Sequence, residues 1–148
     1  MKTWSFVIAI LFLSCSGAQT LEQRIGQRVN SCSASTPCIV KITDVTDFAW
    51  DQMHVFEAGA TLDEIQRSIG TDFPDYVEFT RRIVFLKKGK IIHREDDPTN
   101  FEHPVPGQVS FAKSYTDPHW VFTPDNAVFR AEKKPFPSGA YYVLTQVK

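Results

Sequence analysis

TLDEIQRSIG, residues 61–70, reads as a complete helix with both of its ends marked. Thr61 and Glu64 stand three apart as a capping box, which satisfies the amides that a helix start leaves without partners. Leu62, Ile65 and Ile69 follow at helical spacing, and Gly70 supplies a left-handed stop. On its N-terminal side lies Asp44–Phe56 (DVTDFAWDQMHVF), which loads Phe48, Trp50, Met53, Val55 and Phe56 onto one turn and one strand. Asp47 and Asp51 flank these aromatics and are placed to cap turn amides. The expectation is a strand that enters the core through a bulky aromatic corner; the alternative is an aromatic platform on the surface. On the C-terminal side, Tyr76–Leu86 and Lys90–Arg94 form a hairpin across Lys87-Lys88-Gly89, with Ile83, Phe85 and Ile91 expected on one face.

Further outward the pattern continues. Leu21, Ile25 and Val29 recur every four residues behind a Thr20/Gln23 capping box, predicting a short amphipathic helix, and Cys38–Ile42 reads as a strand. Glu95–Gly107 is polar and proline-rich, hence a loop. Gln108–Ser114, Trp120–Thr123, Ala127–Glu132 and Tyr141–Val147 read as strands, with turns at Pro124-Asp125-Asn126 and Pro135–Gly139. A strand–helix–strand section followed by a meander predicts an α+β fold: a largely antiparallel sheet with two short helices packed on one face.

Residues 1–18 read as an export signal. Lys2 gives the positive start, Trp4–Leu13 (WSFVIAILFL) is the apolar run, and small residues follow to Ala18. The run is too short for a spanning helix, which needs about twenty apolar residues. Two processing sites are open. Leu11–Cys15 (LFLSC) resembles the lipobox of bacterial lipoproteins, whose cysteine becomes the lipidated first residue, making Cys15 the lipidation candidate. Ser16-Gly17-Ala18 before Gln19 is an A-x-A-like site that releases a soluble chain. Residues 19–148, about 130 in number, are enough for one domain. The formal charge of −1 falls to −2 once Lys2 leaves, which excludes an electrostatic footprint for nucleic acid.

Cys32 and Cys38 enclose a small-residue loop, and in an oxidising compartment a local disulfide is the expectation. The spacing is not that of a redox C-x-x-C pair. No metal site is expected, because no His or Cys pair lies nearby to complete four ligands.

Asp47-Phe48-Ala49-Trp50-Asp51, then Val55-Phe56, then a capped helix ending at Ile69-Gly70, resembles a family of small bacterial cell-envelope proteins. Its members often begin with a lipoprotein signal and carry a D-F-x-W-D…V-x-F strand before a short helix. Where many of them have an aromatic-proline-tyrosine step after that strand, this chain has Glu57-Ala58-Gly59. The resemblance implies an envelope location, either outer-membrane-anchored or periplasmic and secreted, and brings no catalytic residues.

Chemical motifs are sparse. There is no G-x-S-x-G, no glycine-rich phosphate loop and no cysteine in a nucleophile context. His93 with Asp96 and Asp97 offers a base and carboxylates, but the blander reading is an acidic turn after a strand; His54 alternates with Met53 and Val55 and is expected on the solvent side. No cofactor is expected. The function read here is a non-catalytic binding module at the envelope, held by a lipid anchor and meeting a protein or glycan. Trp50, Tyr115, Trp120 and Phe122 are its candidate contact aromatics. The alternatives are a periplasmic immunity or inhibitor protein against a toxin or hydrolase, and a small hydrolase using His93 or His119.

Overall fold

A computed structural model of the chain describes residues 19–33, 35–98, 103–112 and 119–147. Among these residues, three helices, α1 (Leu21–Asn30), α2 (Ile42–Val45) and α3 (Leu62–Ile69), accompany eight strands. These are β1 (Cys38–Lys41), β2 (Gln52–Phe56), β3 (Arg81–Lys87), β4 (Lys90–Asp97), β5 (Val109–Phe111), β6 (His119–Phe122), β7 (Val128–Phe136) and β8 (Gly139–Gln146). The fold is α+β. Its strands divide into two four-stranded sheets, ordered β1-β7-β8-β5 and β4-β3-β2-β6. Every pairing is antiparallel except β5 with β8.

Both capping boxes form, Thr20 with Gln23 and Thr61 with Glu64, and Gly70 stops α3 at φ 70°. The helices serve separate cores. The larger core lies between the sheets and takes Leu21, Ile25 and Val29 of α1 together with Met53, Val55, Ile83, Phe85, Phe129 and Leu144. The smaller core lies on the other face of the second sheet, where Ile65 and Ile69 of α3 and Phe73 cover Phe56, Val84 and Leu86. Gly26 is needed where it stands: a Cβ there would meet the Tyr142 ring at 3.0 Å. That approach lets Asn30 donate to the Tyr142 hydroxyl at 2.9 Å.

Several boundaries differ from the sequence reading, each for a physical reason. Ile42 opens α2 rather than ending β1. The segment before Arg81 is a loop, so β3 starts five residues later than expected. The turn, with Lys87 opposite Lys90, sets Ile91 opposite Leu86, so Ile91 packs on the smaller core while Ile83 and Phe85 face the larger one; a register shift follows between Leu86 and Phe85. β4 runs on through Asp97 because Asp96 and Asp97 face Arg82 and Arg81 across the ladder. β7 also continues past Pro135. Its pairing with β1 has ended at Ala131, so the missing proline N–H leaves no neighbour unsatisfied on that side.

Cys32 and Cys38 are joined in a disulfide, with their Cα atoms 5.6 Å apart, linking the end of α1 to the start of β1. Asp51 accepts the Lys88 amide at 2.6 Å, so it caps the hairpin tip rather than its own turn. Among the described residues, no helix is long and apolar enough to cross a membrane.

Candidate binding site

A cleft of about 360 Å³ opens at the end of the second sheet, where β2 and β4 finish and β3 begins. The start of α1 and strand β5 close its other side. Val55, Ile83, Val109 and Phe111 give it an apolar floor, and Glu22, Arg81, Glu95 and Asp97 line it with charge.

Those charges are paired with each other and with the backbone. Arg81 donates to the Val109 carbonyl at 3.1 Å, lies 3.4 Å from Glu22 and is paired with Asp97. Glu22 accepts the Val109 amide at 3.1 Å, so one carboxylate and one guanidinium together tie α1, β3 and β5. Burial raises the Glu22 pKa against the opposing pull of that amide and of Arg81. Glu95 accepts the Leu21 amide at 2.7 and 2.9 Å, placing a negative group at the amino end of α1, where the helix dipole favours it.

Beside the cleft the pairing runs deeper. Arg82 is buried, with Nε 3.3 Å from Asp96 but not aligned on it as a hydrogen bond. Its Nη1 donates to the Thr80 carbonyl at 3.0 Å, and its Nη2 donates to Val77. Arg94 shares Asp96 at 3.2 Å.

The residues singled out from sequence fall into different places. Trp50 and Phe122 are each 5% exposed and belong to the larger core, so neither forms part of a contact surface. Trp50 packs edge-on against Phe85, and its indole donates to Thr46 at 3.2 Å. Trp120 is half-buried against the same core. The aromatic corner is thus structural, as the first of the two expectations held. Tyr115 and Cys15 lie outside the described residues.

The histidines also differ from expectation. His93 meets Glu95 at 3.0 Å, while Asp96 and Asp97 serve the arginines. The space bordered by His93 and Glu95 is about 10 Å³, room for roughly one water. His54 is not on the solvent side: it is 1% exposed. Gln52 Oε1 lies 3.2 Å from His54 Nε2, so that nitrogen carries the proton, and Nδ1 accepts from Nε2–H of His119 at 3.0 Å. The ring centroids are 5.2 Å apart and the planes 19° from parallel, so the two nitrogens meet nearly head-on. This is hydrogen-bond geometry; a shared metal ion would need both lone pairs turned toward a third point. Among the described residues, no group of three or more His, Cys, Asp or Glu is placed to hold a metal ion.

Glu22, Arg81 and Asp97 were not anticipated as a site. A signal did exist in RR at 81–82 and DD at 96–97, opposite charges on the two arms of one hairpin. The register shift at Phe85/Leu86 hides it, because counting outward from the turn misaligns the arms by one residue.

In comparisons with known proteins, no family model matches the chain, and neither a curated protein nor a solved structure does.

Proposed function

We propose that this chain is an exported, lipid-anchored envelope protein that acts as a non-catalytic binding module, with the cleft at the end of the second sheet as its ligand site. One observation carries the binding part. The cleft joins an apolar floor to a charged rim whose Glu22, Arg81 and Asp97 are already paired within the protein. A site of this composition gains by burying apolar ligand surface and orients the ligand with a few polar groups.

The export part rests on the leader, and the Cys32–Cys38 disulfide supports it, since such bonds persist in oxidising compartments. Thr20, which caps α1, also lines the cleft, so a tether from Cys15 reaches the folded domain at the cleft rim. An acyl anchor on Cys15 adds about 0.8 kcal/mol per buried methylene.

Two measurements test this reading. Globomycin should make the precursor accumulate, and Cys15→Ala should move the protein out of the membrane fraction; unchanged processing and fractionation remove the anchor. Soluble peptidoglycan fragments and dispersed phospholipid, titrated into isotope-labelled protein, should shift the amides of Val55, Ile83 and Val109. Shifts confined to other regions, or none with either probe, remove the cleft as the ligand site. The second reading, an inhibitor or immunity protein, is favoured by a different observation, the loop between α3 and β3 that exposes Val77 and Phe79.

A further inference from the structure

That loop, residues 71–80 (TDFPDYVEFT), is gripped from behind and exposed in front. From behind, Arg82 donates to the carbonyls of Val77 and Thr80, and Arg94 donates to the Pro74 carbonyl at 2.6 Å. The Tyr76 hydroxyl donates to the Ala60 carbonyl at 3.0 Å, and its ring lies 4.7 Å from the Arg82 guanidinium. Phe73 is buried beneath both guanidinium groups, 5.5 Å from that of Arg82 and 4.9 Å from that of Arg94. The backbone is held in an uncommon shape, with φ of 52° at Asp75 and 54° at Phe79. A bulky aromatic residue enters that region only where its surroundings impose it, and such positions cluster at functional sites.

In front, Val77 is 57% exposed and Phe79 63%, the two largest exposures of bulky hydrophobic side chains among the described residues. Glu78 stands between them, and Asp72 and Asp75 are exposed alongside. The segment therefore shows solvent three carboxylates and no lysine or arginine.

We propose that residues 74–79 form a preorganised docking loop whose Val77 and Phe79 enter an apolar pocket, rimmed by lysine or arginine, on a partner protein. A loop already held by Arg82, Arg94 and Tyr76 loses little conformational freedom on binding. An aromatic anchor seated in a pocket is the commonest source of interface energy. The three carboxylates steer the approach toward a basic rim. They also disfavour the other occupants: an anionic membrane surface and nucleic acid repel them, and a head-to-head second copy brings like charges together. This inference deepens the interaction-module reading and rests on it only in requiring a protein partner; the cleft and its small ligands are assayed separately.

The test places p-benzoylphenylalanine at Phe79, and as a control at the exposed Lys88, in the full chain in its own cells. The expected result is a discrete ultraviolet-induced adduct from position 79 and none from 88. Mass spectrometry should map it to a partner-protein pocket of apolar residues flanked by lysine or arginine. Glu78→Lys in the same chain should cut adduct yield at least about fivefold. With the identified partner purified, Val77→Asp should weaken binding by about tenfold or more. Val77→Ser takes its place if the aspartate moves the urea midpoint. Absence of a position-specific adduct, an adduct only to lipid or to a second copy, or indifference to Glu78→Lys would each overturn the proposal. Membrane fractionation of the same cells reports on the anchor independently.

Discussion

The two faces of the β4-β3-β2-β6 sheet are built from the same alternating strands, yet they bury different chemistry. Toward the first sheet, β2, β3 and β6 send in Met53, Val55, Ile83, Phe85 and Phe122, all apolar. Toward α3, the intervening positions send in Phe56, Val84 and Leu86, but also His54 and Arg82, each about 1% exposed. Both polar side chains are hydrogen-bonded, so neither carries the full cost of a buried orphan group. The larger core is where the fold gains stability from burial. The smaller one spends some of that gain on fixing the loop before β3 and the edge strand β6 in one geometry, a role well attested for buried polar groups in some systems.

The strongest way to break this contrast is Arg82→Ala. Removing the guanidinium leaves the buried side of the Val77 and Thr80 carbonyls without their donor and Asp96 with Arg94 alone, and the expected loss is about 3–5 kcal/mol in urea unfolding. A loss below about 1 kcal/mol would mean that water substitutes for the side chain and that the smaller core is no different in kind.

Next comes acid. Burial, and then the neighbouring His119, hold the His54 pKa down to about 4 from 6.5. Among the described residues, His119 is the charged group that contributes to that shift. α3 turns Asp63, Glu64 and Arg67 to solvent, and β3 turns Arg82 onto Phe73 and Tyr76. The folded state keeps the ring neutral, so the unfolded chain takes up the proton first. Above about pH 6.5 the group has no effect. Stability then falls as the pH drops toward 4 and levels off below it, a total of roughly 3 kcal/mol. His54→Gln should flatten that part of the profile; identical slopes for the two proteins would show that the acid sensitivity lies elsewhere.

The smallest effect sharpens the contrast from the other side. Reducing Cys32–Cys38, which links α1 to β1 at the border of the larger core, should cost about 2–2.5 kcal/mol by loop-closure entropy. Because no histidine is involved, unfolding curves with and without reductant should differ by the same amount at pH 5 and pH 7. A difference that changes with pH would couple the two cores.

What could be read from the chain alone was local. Thr20 with Gln23, Thr61 with Glu64, and Gly70 state their helices within a few residues, and both helices are where those residues put them. The cysteine pair is equally local. Nothing nearby in sequence could show that the strands split into two sheets, since that depends on β1 finding β7 and β5 finding β8. His54 looked solvent-facing because it alternates with Met53 and Val55. The alternation is real, but α3 covers part of the other face as well, and there the His54 ring meets Gln52, Phe56 and His119. The cleft was the least legible part, because its residues come from α1, β2, β3, β4 and β5 and meet only through pairings far apart along the chain.

The sheet order also carries a consequence for how the chain assembles as it emerges from the ribosome or a translocation pore. β2, β3 and β4 are neighbours in both sequence and space, so they can zip together as soon as Asp97 is free. β1 must wait for Ala131 to arrive before Cys38 meets its opposite residue, and β5 waits for Leu144. Contacts of such wide separation are slow to form. The N-terminal helix, with its apolar stripe meant for that late sheet, therefore stays uncovered until almost the last residue has appeared.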